Sequence, residues 1–437
     1  MVSLGRGTGP GTSLYRAVWR WHFYAGLFVL PLLAWMAATG GLYLYKAEIE
    51  RALYHDWIEA PAIAPPLPAA ELIERVEAQV HGRVTQIIRP VSARESWRLT
   101  YDASGGVERM AFVRADVGLV LGTSRAGGPM ETLKDLHSLA FFGPIANALT
   151  EIAAGWAIVL VLSGVFLWWP RAGSRALSLA GRVGERRFWR NLHASVGAVA
   201  GVVILFLALT GMPWTQVWGG AFHDLVAASA GGRPAAPAAG GESGHHHHDA
   251  QLPWTLRGAP EPRAGMVGDI GPDRAMAIAE TRGLEAPYAL DLPQATGQPY
   301  RIAATSEQTA KTRVLYVDPA SGRVLQDARY ADFGAGAKLF EWGIDTHQGR
   351  QYGEANRLVM LAGCIGMLLL ALSAPAMWWK RRRGGRLTAP PPPEDGRRMR
   401  GLTAMMLALG ACFPLTGATM AAAWLAEKAW SKIKPYR

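Results

Sequence analysis

Five long apolar runs divide the chain, and stretches rich in polar and charged residues separate them. The runs cover about 22–45, 152–169, 194–218, 358–379 and 402–425. A helix of about 20 residues crosses a hydrocarbon core of about 30 Å, and each run is near that length. The first run lacks a clear small-residue cleavage site before its aromatic end, so we expect a retained anchor. The pattern predicts a membrane all-α helical bundle of about five transmembrane helices.

Two longer segments between the runs each show a helix followed by strands. In the first, residues 69–82 have helical spacing, and residues 83–91, 96–102 and 108–122 alternate as strands do. In the second, residues 273–283 are followed by strand-like residues 299–305 and 312–327. Their closing hairpins align on Gly118 and Gly322. We therefore expect two small α+β modules, joined through a low-complexity linker at 227–250 that contains His245 to His248.

The distribution of charge predicts the orientation of the chain. Its formal net charge is +11, and the loops at 170–190 and 380–400 are rich in arginine. Short basic loops stay in the cytoplasm, so we attribute the charge to topology and expect no nucleic-acid partner. The predicted organisation is 1–45 (cytoplasmic N-terminus and first span), 46–136 (exported module), 137–169 (outer juxtamembrane segment and second span), 170–190 (basic loop), 191–218 (third span), 219–346 (His-rich linker and second exported module), 347–379 (outer segment and fourth span), 380–401 (basic loop) and 402–437 (fifth span and tail).

Histidines recur in two matched sets. His137 and His347 each precede a tryptophan pair, Trp168-Trp169 or Trp378-Trp379, by 31 residues, with Ser163 and Ser373 both 26 residues after the histidine. His22 and His193 are followed at equal offsets by Gly26 and Gly197, and by Thr39-Gly40 and Thr210-Gly211. The cysteines, Cys364 and Cys412, fall within predicted spans, which leaves no Cys-based metal site outside the membrane. The repeat predicts two kinds of histidine-bearing membrane unit, each present twice in the chain. Such units can hold metal centres between them.

Several of these motifs resemble the PepSY-associated transmembrane family. They are WRWHFYAGLFVLPLLAWMAATGG, LHSLAFFG, SGVFLWWPR and FWRNLHASVGAVAGVVILFLALTG. The exported modules likewise resemble PepSY domains. Members of this family include inner-membrane iron-uptake proteins similar to two-haem siderophore reductases, in which histidines at helix ends ligate b-type haems. Two departures are THQG in the second repeat and PLTG without a histidine in the fifth run.

Applied to this chain, the resemblance and the repeat imply two haem b groups with histidine ligands. His22 and His193 are the expected ligands near the cytoplasmic face, and His137 and His347 near the outer face. His55 and His223, each followed by aspartate, are weaker candidates for ligands of the outer site. Alternatively, the aspartate could orient the imidazole to support a metal ligand or to contact the substrate. Gly26 and Gly197 fit either room for a flat macrocycle or tight helix packing, and the tryptophans fit an interfacial belt.

The expected function is a haem-dependent ferric reductase of the bacterial inner membrane, with its N-terminus in the cytoplasm. It would pass electrons to an extracytoplasmic ferric siderophore or other ferric chelate. No flavin- or nicotinamide-binding motif occurs, so a cytoplasmic donor or a quinol would supply the electrons. Two alternatives stay open: a non-redox membrane protein that binds or regulates a periplasmic partner, and a ferric-chelate permease. The permease is less favoured because no broken helix with a buried polar site is evident in the sequence.

Overall fold

The computed structural model describes residues 10–169, 177–228, 232, 252–257, 259–305, 308–381 and 407–433. The helices in chain order are α1 (Pro10–Tyr43), α2 (Lys46–Leu53), α3 (His55–Ile58), α4 (Ala69–Val80), α5 (Gly128–His137), α6 (Pro144–Trp168), α7 (Arg186–Gly211), α8 (Val217–Ala228), α9 (Gly271–Thr281), α10 (Ala335–His347), α11 (Gly353–Trp379), α12 (407–412) and α13 (Pro414–Ile433). The strands are β1 (Arg83–Arg89), β2 (Trp97–Ala103), β3 (Val107–Arg114), β4 (Leu119–Arg125), β5 (Tyr288–Asp291), β6 (Tyr300–Ala304), β7 (Arg313–Val317) and β8 (Val324–Arg329).

The described residues form two compact units. The first takes the residues up to Leu44, Lys134–Phe222 and the residues from Ala355 onward. The second takes Tyr45–Leu133 and the residues from His223 to Glu354. The first unit holds the long apolar helices and the second holds all the strands named above.

Four helices of the described chain are long and apolar enough to cross a membrane. They cover Leu14–Tyr43, Pro144–Trp168, Arg186–Trp214 and Gly353–Trp379, which confirms four of the five predicted spans. The fifth predicted span, 402–425, stays a prediction, because its residues 402–406 lie outside the described part. In its described part the chain bends at Phe413 between α12 and α13, because Pro414 has no N–H to continue the first helix. This is a membrane protein, and its described residues contain four candidate spans.

Glycines let α7 and α11 approach closely. A Cβ added at Gly366 would lie 2.5 Å from Ala200 Cβ, and one at Gly363 would lie 2.6 Å from Val203 Cγ1. By contrast, a Cβ at Gly26 or Gly197 would meet a leucine methyl at 3.8 Å, an ordinary contact. Tight helix packing therefore depends on glycines of α11, and the repeated glycines after the histidines are not needed for it.

The second unit contains one antiparallel sheet of eight strands, in the order β4-β3-β2-β1-β5-β6-β7-β8. Each predicted α+β segment supplies four strands, and β1 pairs with β5 at the centre. α4 and α9 cover one face, where Leu72, Val76 and Ala275 join a core that runs through both segments. The sequence analysis treated the modules as separate and missed β5. The structure joins them into one sheet.

Polar side chains fix the junction between the two halves of the sheet. Gln86 of β1 donates from Nε2 to Asp291 of β5 at 2.6 Å, and Asp291 also accepts from Arg301 Nε at 2.7 Å. Arg301 donates to Glu261 at 2.9 Å. All four side chains are buried, so each needs these partners to offset the loss of water. These hydrogen bonds stabilise the pairing of β1 with β5.

The predicted repeat of the two closing hairpins is confirmed in the register of the sheet. Val113 pairs with Val120 in the first hairpin, and Val317 pairs with Val324 in the second. Both hairpins carry an irregularity at that position, between Phe112 and Val113 or between Tyr316 and Val317. The same local sequence pattern thus gives the same bulged hairpin twice.

Replacing Gly366 by alanine tests the close approach of α7 and α11. The added Cβ would overlap Ala200, which has no flexible end to move, so we expect a loss of about 1–3 kcal/mol of stability. Gly220→Ala is the matched control, because nothing lies within 4 Å of a Cβ there and alanine favours a helix. Thermal unfolding of the detergent-solubilised protein measures both. Equal unfolding temperatures for Gly366→Ala and the native protein would contradict the packing.

Candidate metal centre in the helical unit

His22 of α1 and His193 of α7 lie together near one end of the helical unit. Their ring centroids are 6.4 Å apart, and the ring planes are nearly perpendicular at 88°. Both side chains are half-buried. Metal–imidazole bonds are about 2.0 Å long, so two imidazoles that share one metal have centroids about 6 Å apart. The observed separation matches that spacing.

Each of these imidazoles is hydrogen-bonded to a serine on a neighbouring helix. His22 Nδ1 lies 2.8 Å from Ser163 Oγ of α6, and His193 Nδ1 lies 2.9 Å from Ser373 Oγ of α11. These are the two serines that the sequence repeat placed at equal offsets. The pairs α1–α6 and α7–α11 therefore repeat one contact.

The serines bear on which ring nitrogen carries the proton. Ser163 Oγ donates its single proton to the Val159 carbonyl at 2.6 Å, and Ser373 Oγ donates to the Leu370 carbonyl at 3.2 Å. A serine that donates to its own helix accepts from the imidazole, so we expect Nδ1 of each histidine to be the donor. Nε2 then presents its lone pair, which is the form that binds a metal.

The donor set fits a haem better than a bare ion. Within the described ranges, no group of three or more His, Cys, Asp or Glu side chains is placed to hold a metal ion. Zinc in proteins takes three or four protein ligands, whereas a haem iron already has the macrocycle nitrogens and needs only axial ligands. Gly164 lies beside the pair, since a Cβ there would be 3.3 Å from His22 Cε1. Two imidazoles with free Nε2 atoms would supply the ligands that a haem iron needs beyond its macrocycle.

His137 occupies a second position, towards the other end of α1. It ends α5, and its Nδ1 lies 3.1 Å from Thr39 Oγ1. Thr39 donates to the Trp35 carbonyl at 2.8 Å, so towards His137 it accepts. A Cβ at Gly40 would lie 3.0 Å from His137 Cε1, so the glycine makes room for the ring. The repeated Thr-Gly motif of the sequence thus holds an imidazole here.

The environment of His137 favours its neutral form. Burial lowers the pKa of His137 below that of a free imidazole, which keeps the ring unprotonated into mildly acidic solution. A neutral imidazole is required for metal binding.

Within each unit, the described contacts place no other candidate histidine beside the His22–His193 pair or beside His137. His347 ends α10 in the second unit and is half-buried, and its pairing with His137 stays a prediction. His55 is exposed and lies 3.2 Å from Asp56 and 3.6 Å from Glu59. His223 packs edge-on against Trp254, with ring centroids 5.0 Å apart. His245 to His248 lie outside the described residues.

The tryptophan pairs lie at the same end as the His22–His193 pair. Trp169 and Trp379 are 72% and 61% exposed, as expected of an interfacial belt. Trp378 contacts Phe23, the residue after His22, with ring centroids 5.8 Å apart. The Arg381 guanidinium lies over the same Phe23 ring at 5.3 Å. We call this the Arg-rich end, because the basic loops at 170–190 and 380–400 adjoin it.

Glu151 was missed by the sequence analysis. It is the single charged residue of α6 and has no solvent exposure. Its Oε2 accepts the backbone N–H groups of Val217 and Trp218 at 3.1 Å each, at the start of α8. The lone carboxylate in an otherwise apolar run was visible in the sequence and marks a buried polar position.

Comparison with known proteins now identifies the family. The profile of the PepSY-associated TM region matches residues 19–381. The chain belongs to the PepSY-associated transmembrane family. The match spans all four candidate membrane helices and the eight-stranded sheet, which confirms the resemblance seen in the sequence motifs. No curated protein matches the chain.

Removing the Ser163 hydroxyl tests the assignment of the ring proton in this family member. We expect Ser163→Ala to release the Nδ1 proton of His22 and to populate the Nε2–H form, because its acceptor is lost. Solid-state ¹⁵N NMR of histidine-labelled protein in lipid distinguishes the two forms.

Ser195→Ala provides the matched control for that change. Ser195 lies two residues after His193, but its hydroxyl bonds to the Ser178 backbone. An unchanged histidine spectrum in Ser163→Ala would show that the serine does not set the ring proton.

Proposed function

We propose that this protein is a haem-containing reductase that passes electrons across the bacterial inner membrane to a ferric chelate outside, with a ferric siderophore as the expected substrate. The observation that carries the proposal is the His22–His193 pair, with both Nδ1 atoms bonded to serine and ring centroids 6.4 Å apart. Family membership supports the proposal. A structural role for two adjacent half-buried histidines would not require matched serine acceptors in both repeats.

The proposed reductase would hold two metal centres, one towards each end of α1. His22 and His193 would hold one, and His137 with His347 would hold the other. Thr39, which contacts His137, comes 17 residues after His22, or about 26 Å along the helix axis. A bis-imidazole haem supplies reversible one-electron chemistry with no open position for oxygen. The protein holds the rings, fixes their protons and keeps the sites apart across the bilayer.

Charge supports the direction of electron flow. The Arg-rich end carries the short basic loops, and such loops remain cytoplasmic. The His22–His193 pair then lies near the cytoplasmic face, and His137 lies towards the outside. A cytoplasmic donor or a quinol would supply electrons, since the sequence carries no nicotinamide- or flavin-binding motif.

The chemistry of iron explains a reductase at the outer face. Ferric iron is a hard cation that oxygen chelators hold tightly, and the ferrous ion is softer and is held less tightly. Adding one electron outside the membrane therefore weakens the hold of the chelate on the iron. The chelate need not cross the bilayer.

The first test is the cofactor content of the purified protein. We expect visible spectra, oxidised and dithionite-reduced, to show about two haems per chain. His22→Ala or His193→Ala should each remove one haem, and the same one, because both imidazoles bind the same iron. His81→Asn is the control, since His81 is exposed and in the left-handed region at the end of α4, where asparagine is tolerated. A colourless native protein from haem-replete cells would favour the non-redox alternative.

The second test separates the two sets of outer candidates. We expect His137→Ala and His347→Ala to lose the outer haem and ferric-chelate reduction while the inner haem still reduces. His55→Ala and His223→Ala should keep both haems, because His55 is exposed beside two carboxylates and His223 packs on Trp254. Haem content and reduction of a ferric chelate by reduced proteoliposomes measure this. The opposite pattern would move the outer site to the His-Asp pairs.

A further inference from the structure

The two closing hairpins of the sheet carry the same pair of arginines. Arg109 of β3 lies directly opposite Arg125 of β4, and Arg313 of β7 lies directly opposite Arg329 of β8. Both pairs come at equal offsets from the bulge of their hairpin, so they occupy equivalent positions of the repeat. Directly opposite residues share one face of a sheet, and like charges placed there repel each other. A negative charge beside each pair would offset that repulsion.

In the second half of the sheet, Asp327 of β8 supplies that charge. Its carboxylate accepts from Arg313 Nε at 2.7 Å and Nη2 at 2.8 Å, and from Arg329 Nη2 at 2.7 Å. Burial would raise the pKa of Asp327, but the hydrogen bonds from the two arginines outweigh it and lower the pKa to about 2. This hairpin therefore contains a carboxylate site whose carboxylate is part of the chain.

The first half of the sheet has threonine where the second half has aspartate. Thr123 comes three residues after Val120, as Asp327 comes three residues after Val324. Arg109 Nη2 donates to Thr123 Oγ1 at 3.1 Å, so a side chain at position 123 reaches the guanidinium. Because threonine is neutral, it does not offset the repulsion between the two arginines of this hairpin.

Arg109 also has a buried donor that the second half uses and the first half does not. Its Nε is buried and makes no hydrogen bond to a described residue, whereas Nε of Arg313 donates to Asp327. Buried donors seldom lack an acceptor, and the cost is greater when the group is charged. Thr123 is half-buried, Arg125 is exposed and β4 is an edge strand of the sheet. An acceptor from outside the chain can therefore approach along this edge.

We propose that Arg109, Thr123 and Arg125 form a binding site for the carboxylate group of a small-molecule ligand. The carboxylate would accept from both arginines, as Asp327 does in the second half of the sheet, and the Thr123 hydroxyl can donate to it. Arginine suits this ligand because its planar guanidinium matches a carboxylate with two parallel hydrogen bonds. The site lies within one hairpin and has room for a single carboxylate, which favours a small molecule over an acidic peptide. It uses no metal centre and is independent of the proposed function.

Saturation-transfer difference NMR on the full chain in lipid nanodiscs tests this, with succinate as the probe and succinamide as its uncharged counterpart. At constant ionic strength we expect saturable binding of succinate and none of succinamide. Arg109→Gln should weaken succinate binding about tenfold or more, because hydrogen bonds from a charged donor are lost. Arg83→Gln is the matched control, since it removes the same charge from an exposed position of β1 and should bind succinate as the native chain does.

Exchanging the two repeat positions gives a sharper test. Thr123→Asp supplies Arg109 with a carboxylate from within the chain, so it should abolish succinate binding and raise the unfolding temperature. Asp327→Thr should create a second site between Arg313 and Arg329, so the succinate signal at saturation should increase.

Two results would overturn the inference. One is a native protein that binds succinate no better than succinamide, and the other is succinate binding that is undiminished in Arg109→Gln or in Thr123→Asp. An unfolding temperature of Thr123→Asp at or above that of the native chain shows that its loss of binding does not come from loss of the fold. None of these measurements requires haem, so a failure of the proposed function would leave this test unchanged.

Discussion

The candidate site depends on one interaction, the hydrogen bond from a histidine Nδ1 to a serine on the next helix. It occurs at His22 with Ser163 and again at His193 with Ser373. In each case a carbonyl of the serine's own helix lies within hydrogen-bond reach of the hydroxyl, which favours donation from the imidazole to the serine. This fixes the imidazole orientation and its free nitrogen together. A lone histidine on an apolar helix could turn or exchange its ring proton, and two such rings would not remain at a metal-binding distance.

Duplication appears in both units, but it is used differently in each. In the helical unit, two copies of one helix pair each supply an imidazole to a common position. In the other unit, two copies of one α+β segment join through β1 and β5 into a single sheet. Each half alone would leave an unpaired edge at its first strand, and pairing the halves satisfies those backbone groups. The buried Gln86–Asp291 contact then sets which strands meet.

Glu151 shows how a membrane helix tolerates a charged residue. Two N–H groups at the start of α8 satisfy one carboxylate oxygen, and the helix dipole there favours the negative charge. After the bend at Phe413, Thr416 packs against α6 at Gly155, which has no side chain to prevent the contact. The elements that cover Glu151 therefore come from three separated parts of the chain, and the resulting position is enclosed but only half satisfied.

The sequence by itself determined four membrane helices, the two closing hairpins and the paired offsets of histidine, serine and glycine. These follow from local periodicity and from repetition, both of which are readable along one dimension. It did not determine that His22 contacts Ser163, that β1 pairs with β5, or that the chain bends at Phe413 within the last apolar run. Those outcomes depend on which helix faces and strand edges come together, and such contacts join residues that are far apart in the chain. Glu151 illustrates the difference: its charge was visible in the sequence, and only tertiary packing decided that one oxygen would be capped and the other left without a partner.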